Sequence, residues 1–147
     1  MKKIILFLIM ATSILGAQLK DGEYFVKQDS YPHGWASTAG IRVEEGKIVK
    51  VTTDKVNKAG ELVSEDVEYN NKMRAKSGTD PKEYSVVLIE NFMENLKKKS
   101  TGKDDFQMPE IDIVAGATSS SKKFKKMMEF LVEKAESGKT GDHRMKL

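Results

Sequence analysis

The spacing of the apolar residues changes near the middle of this chain, and that change limits the folds open to it. Up to about residue 60, apolar and polar residues alternate in short runs bounded by turn residues, the pattern of half-buried strands. Beyond that point apolar residues recur every three or four positions, the pattern of amphipathic helices. Strands followed by helices predict an α+β fold, with a small, mostly antiparallel sheet packed against two or three helices.

The strand predictions depend on alternation and on turn residues. Tyr24 and Val26 share one face of a first strand, and Glu45 with Gly46 forms the turn of a hairpin between a second and a third strand. A short β-branched run predicts a further strand at residues 111–114.

The helix predictions depend on start and stop residues. A first helix is expected to begin at Ser64 and to end at Ser77 and Gly78. Asp80 before a proline is a strong start for a second helix. A third helix follows a small-residue turn and ends at Gly138, and residues 139–147 are predicted to be a disordered polar tail.

The beginning of the chain has the composition of an export signal. Two lysines precede an apolar run, and small residues follow it, so residues 1–17 are predicted to be a signal peptide. Gln18 stands where a bacterial lipoprotein has its lipidated cysteine, and the chain contains no cysteine. We therefore expect an exported single domain over residues 18–138, periplasmic or extracellular, without a lipid anchor, which meets a membrane only through a partner.

The composition excludes several kinds of chemistry. Without cysteine there are no disulfides, thiol nucleophiles or thiolate metal sites. The two histidines, His33 and His143, cannot build a metal site by themselves. The net charge of +3 comes from interspersed charges rather than a basic stripe, which argues against nucleic-acid binding. Redox chemistry in this chain would have to come from a bound cofactor.

One segment, residues 112–121, combines a predicted strand, a small-residue turn and four hydroxyl side chains at a helix start. Gly116 and Ala117 would let a ligand approach the backbone, and a helix N-terminus attracts an anion such as phosphate. Lys122 and Lys123 are disfavoured by the helix dipole in this position unless a negative group lies nearby. The alternative is that the hydroxyls cap the helix and the lysines are solvated. The residues alone leave both interpretations open.

The same segment resembles the FMN-binding domain family. The family pattern is Asp, two variable residues, Ser or Thr, Gly, Ala, Thr or Ser, one variable residue, then Ser or Thr. The resemblance covers roughly residues 21–135, and Ala115 departs from the pattern. The matching segments outside the motif are Asp21-Gly22-x-Tyr24, Gly34-Trp35, Gly46-Lys47-Ile48-x-x-Val51, Asp54-x-x-Asn57-x-x-Gly60 and Tyr69-Asn70-x-x-Met73.

The resemblance implies a covalent cofactor. In this family a flavin transferase joins the phosphate of FMN to the hydroxyl of the motif threonine, which is Thr118 here. Gly116, Ala117 and Ser119 would then offer backbone N–H groups around the phosphate.

Further cofactor contacts follow from the same resemblance. Ser120 and Lys122 would add side-chain contacts. Asp112 either contacts the transferase or its metal, or hydrogen-bonds the turn. Trp35 either stacks on the isoalloxazine ring or belongs to the core.

The resulting hypothesis is an exported flavoprotein that carries electrons outside the cytoplasm. Its partners would be the flavin transferase and an unidentified redox partner, and the chain would be a carrier rather than a self-contained catalyst. Two alternatives stay open: noncovalent binding of FMN, and an interaction protein of the same fold without flavin.

Overall fold

Four strands form one sheet in a computed structural model that describes residues 18–99 and 106–147. The spatial order is β3-β2-β1-β4, in which β1–β2 and β2–β3 are antiparallel and β1–β4 is parallel. The predicted signal peptide, residues 1–17, lies outside the described residues. The strands are β1 (Gly22–Gln28), β2 (Ala36–Glu44), β3 (Lys47–Val56) and β4 (Gly141–Met145).

Three helices accompany this sheet: α1 (Val67–Ser77), α2 (Pro81–Lys99) and α3 (Thr118–Ser137). Two short 3-10 turns, Pro32–Gly34 and Val63–Glu65, precede β2 and α1. The apolar faces of α2 and α3 pack on one face of the sheet, which confirms the predicted α+β class. No helix among the described residues is long and apolar enough to cross a membrane. The largest side chains of the core are Tyr24, Phe92, Phe124, Met127, Met128 and Leu131.

The hairpin between β2 and β3 turns where the sequence predicts it. Glu45 and Gly46 both have positive φ angles, +52° and +76°, as a two-residue hairpin turn requires. The amide of Gly46 also donates to the Asp21 carboxylate at 2.9 Å. Along β1, Tyr24 and Val26 are buried and Phe25 between them is exposed, which confirms the alternating pattern.

The prediction of a disordered tail at residues 139–147 is wrong. Residues 141–145 form β4, which pairs in parallel with β1, and Val26 lies opposite His143. The segment is polar, so its side chains give no strand signal; it is held by backbone hydrogen bonds to the open edge of β1. The folded domain therefore extends beyond Gly138.

The strand predicted at residues 111–114 is also absent. These residues are irregular in the structure, although their β-branched composition is typical of strands. The segment lies against α2, where the Asn95 amide donates to the Glu110 carbonyl at 3.0 Å. A strand needs a neighbour to pair with, and these residues pair with none of the four strands of the sheet.

The helix boundaries follow the predicted caps with one shift. α1 begins at Val67 rather than Ser64, because the Asp66 side chain accepts from the Tyr69 amide at 3.0 Å and caps the helix there. Gly78 and Gly138 end α1 and α3 in the left-handed conformation, as predicted.

Candidate functional site

The turn before α3 is shaped by one glycine. Gly116 has a φ angle of +81°, and a Cβ added there would lie 2.5 Å from the Ser77 carbonyl oxygen and 3.0 Å from Thr79 Cγ2. No other residue type fits this position without displacing backbone. The turn is therefore seated directly against the connection between α1 and α2.

A buried hydroxyl holds the same turn from the other side. Ser121, which is fully buried, donates through Oγ to the Ala117 carbonyl at 2.7 Å and accepts from the Val114 amide at 3.0 Å. The Ala117 amide donates to the Val114 carbonyl at 2.9 Å and closes the turn, so the prediction that this amide is offered to a phosphate is wrong. One of the four hydroxyls at this helix start thus has a structural role.

The N-terminus of α3 has no side-chain cap. Ala117 occupies the N-cap position and has no oxygen to offer, and the first turn contains no acidic residue. The first helical hydrogen bond runs from the Ser121 amide to the Ala117 carbonyl, so the amides of residues 118–120 have no helical acceptor. Thr118 and Ser119 are both exposed beside these amides. The hydroxyl side chains therefore do not cap α3, and the alternative in which they serve as helix caps is wrong.

Lysines surround this open terminus. A surface depression of about 450 Å³ follows the exposed face of the first two turns of α3. Its positive charges add to the positive end of the helix dipole, so the site attracts an anion. The depression is lined by Thr118, Ser119, Lys122, Lys123, Lys126 and Leu147.

A narrow crevice lies between the first turn of α3 and the end of β3. Ser120 Oγ donates to Tyr84 Oη at 3.2 Å at this place, and Lys55 lines the crevice beside both. Burial raises the pKa of Tyr84, the Ser120 hydroxyl acts in the opposite direction, and the nearby Tyr69 raises the pKa further. Burial lowers the pKa of Lys55, and the positive charge of Lys123 lowers it again. A partly buried cation therefore faces the site from the sheet.

Lys55 and Tyr84 are site residues that the sequence does not reveal. Lys55 lies in a polar stretch of an alternating strand, and Tyr84 has the spacing of an ordinary core residue on α2. Only the crossing of β3 with α2 and α3 brings them together. The sequence carries no signal for that contact.

Asp112 lies beside α2 rather than at a strand end. Its carboxylate is exposed and accepts from the Asn95 amide at 3.3 Å, and no hydrogen bond joins it to the turn among the described residues. The interpretation in which Asp112 hydrogen-bonds the turn is therefore wrong. The exposed carboxylate is left accessible to another protein.

Trp35 is half-buried where the chain enters β2. Its ring meets the Tyr69 ring edge-on, with centroids 5.8 Å apart and planes at 63°. Because Tyr69 also acts electrostatically on Tyr84, the aromatic pair lies near the crevice that Ser120 borders. This position keeps a stacking role for Trp35 open.

Asn70, next to that pair, supports the scaffold. Its amide donates to the Val63 carbonyl at 3.0 Å and to the Asp66 carbonyl at 2.7 Å, and its oxygen accepts from the Lys82 amide at 3.2 Å. The side chain thereby ties the start of α1 to the start of α2. Across residues 18–99 and 106–147, no three His, Asp or Glu side chains cluster closely enough to hold a metal ion.

Comparison with known proteins gives one family and two relatives. The model of the FMN-binding domain family matches residues 34–133, a range that contains Trp35, Asp112 and the whole turn before α3. The 15 kDa lipoprotein of Treponema pallidum (strain Nichols) is 29% identical over 137 residues, 90% of each chain. The crystal structure of the CPE2226 protein from Clostridium perfringens is similar, with 36% identity, a TM-score of 0.75, and coverage of 88% of this chain and 98% of that one.

Proposed function

This chain belongs to the FMN-binding domain family, with FMN as its cofactor, and we propose that it carries the FMN covalently on Thr118 as an exported electron carrier. The observation that carries the proposal is the exposed Thr118 hydroxyl at an uncapped, lysine-lined helix start inside the family match. A phosphate ester at this hydroxyl would place negative charge where the helix and the lysines favour it.

The local geometry fits a phosphate in three respects. Because Gly116 has no side chain, the turn packs directly against Ser77 and Thr79 and is held in one conformation. The amides of residues 118–120 are directed outward without helical acceptors. Lys122 and Lys126 flank the hydroxyl from the exposed face of α3. Backbone donors and cations around one hydroxyl are the donor set that a phosphodiester requires.

Each residue then has a distinct role. Thr118 Oγ would form the bond to phosphorus, and the amides of Ser119 and Ser120 would donate to the free phosphate oxygens. Lys122 would balance the charge from outside. Ser120 Oγ, which already donates to Tyr84, would hold the inner wall of the site in place.

When bound, the FMN ring system supplies reversible one- and two-electron transfer. The chain itself would attach the cofactor, fix its orientation and set its surroundings. The Trp35 and Tyr69 rings offer an aromatic surface near the crevice. The exposed Asp112 would contact the flavin transferase that makes the ester.

The export proposal is supported by the sequence and by one relative. Residues 1–17 have the composition of a signal peptide, and a relative is named a lipoprotein. In this chain Gln18 stands in place of the lipidated cysteine, so we propose an exported domain without that anchor. A redox partner would supply its electrons, and the chain would meet a membrane only through that partner.

The test is coexpression with a flavin transferase, followed by intact-mass measurement after denaturation. We expect the wild-type chain to gain the mass of one FMN less one water, because the ester replaces the threonine proton and one phosphate hydroxyl, and to remain yellow. Thr118→Ala should lose the label completely and Thr118→Ser should retain it, because both hydroxyls can be esterified. Ser119→Ala, which alters the neighbouring hydroxyl, should keep the label.

The other outcomes separate the alternatives. Flavin that leaves on denaturation would contradict the ester and show noncovalent binding. A colourless protein of unmodified mass, with no affinity for added FMN, would contradict the proposed carrier role and favour an interaction protein of the same fold. A label that persists in Thr118→Ala would move the attachment site elsewhere.

A further inference from the structure

Three basic side chains from three elements converge on one tyrosine. Lys27 of β1 donates to Tyr31 Oη at 3.0 Å, and its Nζ lies 5.4 Å from the centre of the Tyr31 ring. Lys58, in the turn after β3, has its Nζ 5.8 Å from the same ring. Arg144 of β4 lies opposite Lys27 in the sheet register. The phenol holds Lys27 by a hydrogen bond, its ring lies near both lysines, and the charge of Arg144 also acts on it.

The electrostatic effect of this cluster is visible on the phenol. The hydrogen bond from Lys27 lowers the pKa of Tyr31, burial acts in the opposite direction, and the charges of Lys27, Arg144 and Lys58 lower the pKa further. A site that stabilises a phenolate also stabilises other anions placed there. No ion pair joins a carboxylate to these cations within the described part of the chain.

An open polar bowl adjoins the cluster. It has a volume of about 660 Å³ and lies between the turn before β2 and the turn after β3. Its walls combine hydroxyl, amide and ammonium groups with the Tyr31 ring and the Ala59 side chain, so it offers hydrogen-bonding partners to a polar group. The bowl is lined by Ser30, Tyr31, Gly34, Asn57, Lys58 and Ala59.

The bowl lies at the same end of the sheet as the open start of α3. Gly34 lines the bowl and immediately precedes Trp35, whose ring contacts Tyr69 near the crevice. From the other side, Arg144 is three residues from Leu147, which lines the depression at Thr118. A molecule seated on the cluster therefore lies next to the proposed cofactor site.

We propose that the Tyr31, Lys27, Lys58 and Arg144 cluster is the docking surface for an acidic protein partner, whose carboxylates enter the bowl beside Trp35. The electron-exchange role of that partner rests on the proposed function, whereas the docking itself does not. Charge complementarity of this kind steers association and fixes orientation.

A protein partner fits this surface better than a small anion. Small-molecule sites enclose most of their ligand, whereas this bowl is open and its cations are spread over β1, β4 and a turn. A surface carrying several carboxylates can reach all three cations at once. A single small anion can meet only part of the cluster.

The first test uses the full chain without flavin and a hexaglutamate peptide as the probe. Lys27→Gln combined with Lys58→Gln should weaken peptide binding by roughly 5-fold at low salt, because two ion pairs of modest strength are lost. The matched control, Lys47→Gln with Lys50→Gln, removes the same charge near the hairpin at the other end of the sheet and should leave binding within about 2-fold of wild type. Circular dichroism confirms that both variants fold.

Amide chemical shifts during the titration locate the peptide. Shifts centred on residues 27–34 and 57–59 support the proposal. Equal weakening in both double variants would show a general charge effect and overturn it, as would binding that both variants leave unchanged.

The second test uses flavin-loaded protein and follows oxidation of the reduced flavin by ferricyanide, a small anionic acceptor. The Lys27→Gln and Lys58→Gln pair should slow oxidation about 10-fold at low salt and by far less at high salt. Oxidation by cationic hexaammineruthenium(III) should not slow. If the chain takes no flavin, the peptide test still decides the docking proposal. If flavin is present but the anionic and cationic acceptors respond alike, the cluster does not steer electron exchange, and that part of the proposal is overturned while the carrier role stands.

Discussion

The starts of α2 and α3 touch each other, yet they are built in opposite ways. At the start of α2, the Asp80 carboxylate accepts from the Glu83 amide at 2.8 Å and from Arg74 at 2.7 Å. The Thr79 hydroxyl donates to Glu83 at 2.8 Å and completes the cluster. The Asp80 carboxylate therefore supplies the negative charge at this helix start, and Arg74 supplies the positive charge that pairs with it.

The start of α3 has cations but no anion of its own. Its first turn carries exposed hydroxyls and lysines without an acidic residue or a side-chain cap. We call the start of α2, which has its own carboxylate, the closed start, and the start of α3, which has none, the open start. The two meet where Gly116 packs on Ser77 and Thr79, so the closed start supports the open one. The comparison shows what the phosphate proposal requires: one helix start supplies its own negative group, and the other is held rigid while its donors stay available.

The largest expected effect comes from breaking the contact between the two starts. Gly116→Ala should lower the free energy of unfolding by about 3 kcal/mol, because the new Cβ meets the Ser77 carbonyl and the backbone is left-handed. Gly78→Ala is the matched control: its φ angle of +79° is nearly the same, but nothing lies within 4 Å of its Cβ position. Denaturant unfolding should show a loss of about 1 kcal/mol for the control. Equal losses would mean that strain alone, not the contact, sets the cost.

A smaller loss is expected from removing the clamp under the open start. Ser121→Ala leaves the Val114 amide without its acceptor, so stability should fall by about 2 kcal/mol. Ser137→Ala removes an exposed hydroxyl from the far end of the same helix and should change stability by less than about 0.5 kcal/mol. Thermal unfolding of the two variants compares them directly. A Ser121→Ala variant as stable as Ser137→Ala would show that the turn is held by other contacts.

The sequence predicts the position and the cap of the closed start because these signals are local, but it does not predict the contacts of Arg74 and Thr79 there. Asp80 and Pro81 are neighbours in the chain; α2 begins at Pro81, and Asp80 caps it by accepting from the Glu83 amide, as predicted. The hairpin at Gly46 and the helix end at Gly138 are predicted for the same reason. In all of these, the residues that decide the geometry are neighbours in sequence.

The open start is predicted only in part, because part of it is made by distant residues. The turn and its hydroxyls lie in one short segment, but Lys55 and Tyr84 reach the site through packing of β3 and α2. β4 was missed for a related reason, since its pairing with β1 joins the two ends of the domain and uses backbone rather than side-chain groups. The run at residues 111–114 has strand composition but lies beside α2 instead of pairing with the sheet.

The stability that the closed start contributes should depend on pH. Burial alone would raise the pKa of Asp80, but the Glu83 amide and the Arg74 guanidinium together hold the pKa of that carboxyl below its ordinary value. A carboxyl with a lowered pKa in the folded state stabilises the fold above its unfolded pKa, and the stability is lost as the pH falls through the folded pKa. Asp80→Asn should therefore cost about 1 kcal/mol at neutral pH.

Urea unfolding across the acidic range tests this. The difference between wild type and Asp80→Asn should be constant above about pH 5 and should shrink as the pH falls below about pH 4, where the unfolded chain takes up a proton on Asp80 while the folded chain still holds the carboxylate. The charge contribution is lost once the pH lies below the lowered folded pKa as well. Asp66→Asn, which changes another helix-capping carboxylate but one without an ion pair to Arg74, serves as the control. A difference that persists unchanged at low pH would assign the effect of Asp80 to packing rather than to charge.

The smallest expected effect converts the open start into a closed one. Ser119→Asp adds a carboxylate to the first turn of α3, near Lys122 and Lys123 and the positive end of the helix dipole. In the chain without flavin it should raise stability by about 0.5 kcal/mol, and added salt should reduce the gain. Ser119→Asn has the same shape without the charge and should give no such gain.

The same variant should work against the cofactor. If the uncapped start is kept open for a phosphate, a built-in carboxylate competes for the amides and lysines that the phosphate would use, and labelling of Thr118 by the transferase should fall relative to Ser119→Asn. A more stable chain that is labelled less well is the result that the comparison of the two helix starts requires. A gain in stability with undiminished labelling would mean that the phosphate does not use this first turn, and the contrast between the two starts would then concern helix stability alone.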